Sequence, residues 1–295
     1  MDNVSAFLRY LESERNFSRH TLIAYNKDIA DFRSYCSDII AIPLKKVIYT
    51  NVRDYVVVLS KQGLTTRSIN RKCAALNSFY NYLMTIGVVS THPLEQHKSL
   101  KSKKRFIVPF SIDEIEEVLN NIDRSTFSGL RDSTAIELLY STGIRQAELI
   151  GLKTTDIDWA QQQIRVLGKR NKERIVPLIP SFALKLKHYY EQRNALGLTS
   201  VHNHLMVTDK GNKLYPTFVY RLVKTYFRGV SKKIHTSPHV LRHSFATHML
   251  DAGADINVVK EILGHESLAA TQEYTKVQLP KVQDAYRAAH PRAKK

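Results

Sequence analysis

The chain has few cysteines and no long apolar run. Only Cys36 and Cys73 occur in 295 residues, with no CxxC pair. Two thiols make neither a disulfide scaffold nor a zinc knuckle, and their apolar helical surroundings predict reduced core residues. No uncharged apolar segment approaches the roughly 20 residues that cross a bilayer. We therefore expect a soluble, cytoplasmic protein with no membrane insertion.

Signatures of nucleotide-driven and metal-dependent chemistry are also missing. The sequence contains no GxxxxGK[ST] loop, no GxGxxG after a strand and no HExxH motif. His239 and His243 do share one helical face, as zinc ligands would, but the internal glutamate is absent and Arg242 adds a cation beside them. A zinc site stays open as an alternative, and we expect neither a metal nor another cofactor.

Acidic residues are too few to balance the basic ones. The 44 Lys and Arg against 27 Asp and Glu give a net charge of +17, which indicates a polyanionic partner, either nucleic acid or an anionic membrane surface. Residues 1–105 hold 17 basic and 8 acidic residues, and residues 106–295 hold 27 and 19. The excess is therefore shared almost equally, which favours two basic bodies around a duplex over one tethering arm.

Composition divides the chain near residue 100. A helical region ends by Leu94, basic residues then crowd a short polar stretch, and Ser111 with Glu114 forms a capping box that opens a new helix. We predict an N-terminal helical domain at 1–95, a basic linker at 96–108 and a second domain at 109–295.

Apolar periodicity predicts a mainly α fold with a small β-sheet. In the first part, Ser18 and Thr65 or Thr66 cap two long helices, with a third between them near 52–59. The second part has one β-hairpin, with strands at 163–167 and 174–178 joined by a turn at 168–173. Its predicted helices cover about 130–142, 181–195, 239–251 and 255–263, with glycines at the ends of several.

Polar residues that could perform chemistry gather around these helix ends and the hairpin. Taken singly, each also has an ordinary structural explanation. They are Arg145, Glu148, Lys169, His239, Arg242, His265 and Tyr274.

A second set of basic residues could contact phosphates. Three stand near the start of the Thr66 helix and four on the linker. They are Arg67, Arg71, Lys72, Lys101, Lys103, Lys104 and Arg105.

Four separated motifs resemble the tyrosine recombinase (phage integrase) family, in that family's order. They are STGIRQAEL at 141–149, GKRNKER at 168–174, PHVLRHSFATHML at 238–250, and LGHES at 263–267 with EYTKV at 273–277. The segments FLRYL at 7–11 and SRHTLIAY at 18–25 resemble the family's helical, SAM-like DNA-clamping domain. Length and the tail 286–292 are most similar to the Xer-type recombinases, although Lys276, Ala147 and Arg170 depart from common family residues.

The resemblance implies a role for each candidate residue. Arg145 and Arg242 would hold the scissile phosphate and His265 would donate a further hydrogen bond. Tyr274 would attack as the nucleophile and form a 3′-phosphotyrosine, with His239 as the base. Lys169 would protonate the departing 5′-oxygen, and Glu148 would orient Arg145 or support the fold.

The resemblance also implies partners. These are a double-stranded DNA recombination site, a homo- or hetero-tetramer with a related recombinase, and a septal DNA translocase as a possible activator. The C-terminal helix, about 279–289, would dock on a neighbouring protomer. The expected function is Xer-type chromosome dimer resolution. The alternatives are a mobile-element integrase, a type IB topoisomerase-like nicking-closing enzyme, and a non-catalytic DNA-binding protein.

Overall fold

The computed structural model describes residues 2–101, 107–168, 172–198, 203–231, 233, 236–264 and 278–294. The chain forms two compact units, Met1–Arg105 and Phe106–Lys295. The predicted basic linker, 96–108, spans this division. No helix in the described part of the chain is long and apolar enough to cross a membrane.

In the first unit, the helices that begin at Asn3, Arg19 and Thr66 have hydroxyl or carboxylate caps. The Asp2, Ser18 and Thr65 side chains each accept a hydrogen bond from a backbone N–H in the first helical turn. The α-helices of this unit are α1 (Asn3–Ser13), α2 (Arg19–Asp38), α3 (Tyr49–Lys61) and α4 (Thr66–Thr85).

Aromatic side chains fill the core of this unit. Phe7 of α1 meets Phe79 of α4 edge to face, with ring centroids 5.4 Å apart, and Phe32 of α2 packs 4.9 Å from Tyr55 of α3. Cys36 and Cys73 are buried as free thiols. Their predicted place in the core is confirmed.

The second unit surrounds a central helix that is buried on almost every side. In this helix, α6, almost every residue from Gly129 to Thr142 is buried, and the buried Arg131 and Glu137 are paired with opposite charges. The α-helices of the unit are α5 (Ile112–Asn121), α6 (Phe127–Thr142), α7 (Gln146–Gly151), α8 (Pro180–Ala195), α9 (Pro216–Arg228), α10 (Pro238–Asp251), α11 (Ile256–Leu263) and α12 (Gln278–Ala289).

A small antiparallel sheet completes the second unit. The strands β1 (Ile157–Asp158), β2 (Gln163–Leu167) and β3 (Glu173–Pro177) lie in the order β1-β2-β3. Ile164 pairs with Val176, and Val166 with Arg174, so these four side chains share the buried face. The predicted mainly α fold with a small sheet is confirmed, whereas β1 and α9 were not predicted.

Candidate active site

The site begins where α6 ends. Gly143 adopts the left-handed conformation, with φ 61°, and turns the chain out of the helix. Two residues later, Arg145 stands at the N-cap of α7 with its side chain 41% exposed. This turn brings a partly exposed guanidinium out of the buried core.

Glu148 holds Arg145 in place through two hydrogen bonds. Its Oε2 accepts the Arg145 backbone N–H at 2.7 Å, and its Oε1 accepts Arg145 Nη1 at 2.8 Å. Glu148 is itself buried, and Arg174 of β3 donates to Oε1 at 2.9 Å and to Oε2 at 2.8 Å. The carboxylate therefore lies between two arginines and accepts four charge-assisted or backbone hydrogen bonds.

Arg242 of α10 completes the cationic cluster. Its guanidinium is buried and donates to the Gly143 carbonyl and to the Leu263 carbonyl, each at 2.6 Å. The first bond ties α10 to the end of α6 and the second ties it to the end of α11. The two bonds use separate nitrogens of one rigid, planar guanidinium, a geometry that the compact ammonium of a lysine would not reproduce.

The C-terminal end of α11 receives all three arginines. Arg174 Nε donates to Ile262 O at 2.8 Å, Arg242 to Leu263 O at 2.6 Å and Arg145 Nη2 to Gly264 O at 3.3 Å. The last carbonyls of a helix have no partner within the helix and carry the negative end of its dipole. They therefore offset part of the repulsion among three guanidinium groups.

The cluster lowers the pKa values of an acid, Glu148, and of a base, Arg242. Burial raises the pKa of Glu148, but the hydrogen bonds and charge of Arg174, assisted by Arg145, outweigh burial and lower it to about 2. Burial and then the charge of Arg145 lower the pKa of Arg242 to about 10. At neutral pH the cluster therefore holds three cations and one carboxylate, an excess of positive charge suited to a phosphate.

His239 lies at the start of α10, exposed to solvent. Partial burial of its ring, and then the charge of Arg242, lower the pKa of His239. A histidine with a lowered pKa stays neutral at pH 7 and can accept a proton. Across the described residues, no group of three or more His, Cys, Asp or Glu is placed to hold a metal ion.

Lys169, His265 and Tyr274 lie outside the described residues. The residues that directly precede Lys169 and His265 are described, however, and they contact the cluster. A Cβ added at Gly168 would lie 3.5 Å from Arg174 Nη1, and Gly264 accepts the Arg145 hydrogen bond. The structure thus brings together Arg145, Glu148, His239 and Arg242, and the segments before Lys169 and His265 adjoin them.

Arg174 is the residue that sequence reasoning missed. It stood inside the hairpin motif but was not among the candidates. Strand alternation could have found it, because Arg174 and the buried Val176 are two residues apart and must face the same side of β3. A charged residue on the buried face needs a partner, and Glu148 is that partner.

The N-terminal candidates differ in their surroundings. Arg67 and Arg71 are exposed on α4, where they could contact phosphates. Lys72 is buried, and its Nζ lies 3.1 Å from Asp28 Oδ1 and 2.5 Å from Asp31 Oδ2. The expectation of a phosphate contact by Lys72 is at odds with this geometry, because its ammonium is already paired inside the domain.

The start of the basic linker is held against α4. Asn70 Nδ2 donates to the Leu100 carbonyl and Asn70 Oδ1 accepts the Leu100 N–H, both at 2.9 Å. The exposed Lys101 follows directly. Lys103, Lys104 and Arg105 lie outside the described residues.

The C-terminal helix packs against the second unit of its own chain. Tyr286 of α12 is fully buried and donates to the Ser141 carbonyl at 2.6 Å, and Arg292 pairs with Glu137 at 3.0 Å. The docking on a neighbouring protomer that the resemblance implies stays a prediction.

Comparison with known proteins defines the class of the protein. Residues 98–279 match the phage integrase family, and residues 4–87 match the phage integrase N-terminal SAM-like domain. The chain therefore belongs to the phage integrase family and is a site-specific tyrosine recombinase, an enzyme that cuts and rejoins DNA. The resemblance carried by the four motifs is confirmed.

Individual relatives match along the whole chain. Tyrosine recombinase XerC of Pelobacter propionicus is 36% identical over 100% of this chain and 97% of its own length. Tyrosine recombinase XerC of Staphylococcus aureus (strain MSSA476) is 36% identical over 98% of this chain and 97% of its own.

Solved structures share the fold. One is the XerH site-specific recombinase bound to difH substrate in a pre-cleavage complex, with a TM-score of 0.68 and 23% identity over 94% of this chain and 82% of that one. Another is the Tn1549 transposon integrase in complex with a circular intermediate DNA, with a TM-score of 0.73 and 18% identity over 95% of this chain and 99% of that one.

Proposed function

We propose that this chain is an Xer-type recombinase that resolves chromosome dimers by cutting and rejoining double-stranded DNA through a 3′-phosphotyrosine at Tyr274. One observation carries the chemical part of the proposal: Arg145 and Arg242 meet at the end of α11, directly before His265 in the sequence. The full-length identity to two XerC proteins supports the sub-type.

The cluster suits phosphoryl transfer by charge stabilisation. When Tyr274 attacks the phosphodiester, negative charge grows on the non-bridging oxygens, and cations fixed beforehand lower that barrier. Arg145 and Arg242 supply planar donors for those oxygens, and His265 supplies another. His239 takes the phenol proton, since its lowered pKa keeps it neutral. Lys169 returns a proton to the departing 5′-oxygen.

Rejoining follows from the same chemistry in reverse. The phosphotyrosine keeps the energy of the phosphodiester, so a 5′-hydroxyl can displace Tyr274 without ATP. Exchange between two duplexes requires cleavage on both strands of two sites, hence four protomers, either of this chain or of this chain with a related recombinase. A septal DNA translocase is the proposed activator, and Arg67, Arg71, Lys101, Lys103, Lys104 and Arg105 are the proposed phosphate contacts.

The nucleophile is tested with a suicide substrate, a duplex with a nick placed so that the cleaved strand cannot religate. The wild-type protein is expected to form a covalent adduct, and Tyr274→Phe is expected to bind the same DNA and form none. Tyr220→Phe, at an exposed tyrosine of α9, is the matched control and should form the adduct normally. An adduct in Tyr274→Phe would overturn the assignment.

The DNA recovered in that adduct separates the alternatives. A chromosomal site supports dimer resolution, whereas the ends of a mobile element support an integrase. Relaxation of supercoils without exchange between two sites would indicate a topoisomerase-like enzyme, and absence of any adduct a DNA-binding protein without cleavage. The reaction is expected to continue in EDTA, and its loss there would favour the zinc site at His239 and His243.

A further inference from the structure

We propose that Arg174 is a positioning residue for DNA cleavage: its guanidinium fixes Glu148, and Glu148 in turn fixes the Arg145 guanidinium that receives the phosphate. This inference rests on the proposed function, because it assigns Arg145 to the scissile phosphate. Arg174 itself touches no substrate in this scheme. It acts through a chain of two salt bridges on the buried side of the site.

The hydrogen bonds leave Glu148 one orientation. Arg174 supplies one donor to each carboxylate oxygen, at 2.9 and 2.8 Å, and Arg145 supplies one donor to each from the other side, at 2.8 and 2.7 Å. All four acceptor directions of the carboxylate are therefore occupied. A rotation of Glu148 would break bonds to both arginines, so the position of Arg174 determines where Arg145 is held.

Arg174 is also needed to balance the charge of the buried Glu148 carboxylate. Glu148 has a side chain that is 5% exposed, and Arg145, its other partner, is 41% exposed. A buried carboxylate with only one solvent-exposed partner is costly and tends to take up a proton. Arg174, at 6% exposure, supplies the second charge within the low-dielectric interior. Glu148 can then remain an acceptor for Arg145 throughout the neutral pH range.

Arg174 also ties the hairpin to the end of α11. Its Nε donates to Ile262 O at 2.8 Å, one residue before the carbonyl bound by Arg242 and two before that bound by Arg145. A Cβ at Gly264 would lie only 3.1 Å from Arg174 Cδ, so the two segments are in close contact. In sequence, Lys169 lies between β2 and β3, and His265 follows Gly264. One side chain thus links the two chain segments that carry these candidates.

The test compares Arg174→Gln and Arg174→Lys with Arg165→Gln. Arg165 is a matched control, since it lies on the neighbouring strand β2 but is 54% exposed and pairs at the surface. Each protein is mixed with a nicked duplex that carries the DNA sequence recovered in the wild-type adduct. DNA affinity and the single-turnover rate of adduct formation are then measured separately. We expect both Arg174 variants to bind within about 2-fold of wild type but to cleave on the order of 10²-fold more slowly, since small misplacements of a reacting group have that effect.

The pH profile gives a readout that a purely structural role would not move. With Arg174 present, the pKa of Glu148 is about 2. Loss of Arg174 is expected to raise this pKa. A protonated Glu148 no longer pairs with Arg145. The rate of Arg174→Gln relative to wild type is therefore expected to fall further as the pH is lowered from 8 to 5.5. The corresponding ratio for Arg165→Gln should stay flat.

The outcomes distinguish a failure of the proposed recombinase function from a failure of the positioning role of Arg174. A wild-type protein that forms no adduct on any DNA would overturn the proposed function. A wild-type adduct together with a folded Arg174→Lys that cleaves at the wild-type rate would overturn only the role of Arg174. Arg174→Lys keeps the positive charge beside Glu148 and so protects the fold, as circular dichroism can check. Loss of the folded state in both variants would show that Arg174 serves the fold and would equally overturn the positioning role.

Discussion

Two basic side chains of α4, Arg67 and Lys72, differ in what surrounds their charges. Arg67 is exposed, whereas Lys72 is 6% exposed and pairs with Asp28 and Asp31 of α2. Asp28 is fully buried, and Arg71 is its other cationic partner. Lys72 therefore neutralises carboxylates within the unit. Arg71 shares this role through Asp28 but keeps a side chain that is 45% exposed, and Arg67 presents its charge to solvent.

This difference predicts opposite effects for two substitutions. Lys72→Met is expected to lower the free energy of unfolding of the first unit by about 1–3 kcal/mol, because the buried Asp28 loses one of its two cationic partners. Arg67→Ala should leave that free energy unchanged but weaken DNA binding and reduce the salt slope by about one. Urea unfolding and binding measured at several salt concentrations check both. A fully stable Lys72→Met that binds DNA weakly would contradict this interpretation.

The sequence held a signal for the burial of Lys72. Ile69 and Leu76 are buried on α4, and Lys72 follows Ile69 by three residues and precedes Leu76 by four, so helical phase places it on the apolar face. Position near the helix start instead suggested a phosphate contact. Residue types were thus predictable from motifs, whereas the partner of each charge depends on contacts such as Lys72 with Asp28, 44 residues apart.

At the scale of elements, the site is assembled from helix ends. The α6 end supplies the Gly143 carbonyl and the α11 end supplies three consecutive carbonyls, and together they hold three arginines. Glycines at positions 143 and 264 allow both helices to stop in the left-handed conformation, with φ 61° and 64°. Both ends were predictable, because glycine closing an apolar period is a strong stop signal.

Gly143 has a second role in packing, and this yields a prediction. A Cβ there would lie 2.5 Å from Phe245 Cδ1 and 2.8 Å from Leu263 Cδ2, whereas a Cβ at Gly253 meets nothing within 4 Å. Both glycines have positive φ, so alanine at either costs about 1–2 kcal/mol of backbone strain. Gly143→Ala should lose about 1–3 kcal/mol more than Gly253→Ala through overpacking. Urea unfolding of both variants checks this, and equal losses would contradict it.

Elements without local signals were not predicted. Strand β1 is two residues long and exists through its pairing with β2, Ile157 opposite Ile164. The helix α9 begins at Pro216 after Tyr215, whose side chain makes no cap hydrogen bond. Its apolar face is defined by Val219, Leu222 and Phe227, which pack into the core of the second unit. Tertiary packing rather than capping sets these boundaries.

At the scale of the whole molecule, the C-terminal segment completes the second unit. His290 is fully buried among the rings of Tyr140, Phe245 and Tyr286, with centroid distances of 5.7, 5.9 and 5.2 Å. Its Nδ1 accepts the Arg292 backbone N–H at 3.1 Å, and its Nε2 has no hydrogen-bond partner among the described residues. The sequence showed only a short amphipathic helix here, because the pocket for His290 is made by α6 and α10.

This burial predicts a pH-dependent stability. Burial, followed by the charges of Arg292 and His248, lowers the pKa of His290 to about 3. In the unfolded chain the pKa of His290 returns to about 6.5. Below that pH the His290 side chain binds a proton in the unfolded state but not in the folded state. Stability is therefore fully present above about pH 6.5 and is lost as the pH falls. Between pH 7.5 and 5.5 the loss due to His290 is about 1.4 kcal/mol.

His290→Asn isolates this contribution, because its amide oxygen can replace Nδ1 as the acceptor for Arg292 while the ionisable ring is removed. His248 also has a pKa lowered by burial, but it is present in both proteins, so its effect cancels in the comparison. Urea unfolding at pH 7.5 and 5.5 should show a loss about 1.4 kcal/mol smaller in the variant than in wild type. His188→Asn, at an exposed position on α8, should keep the wild-type dependence. A His290→Asn protein with unchanged pH dependence would mean that His290 is protonated within the folded unit, and the C-terminal segment would then not be held by a neutral, buried ring.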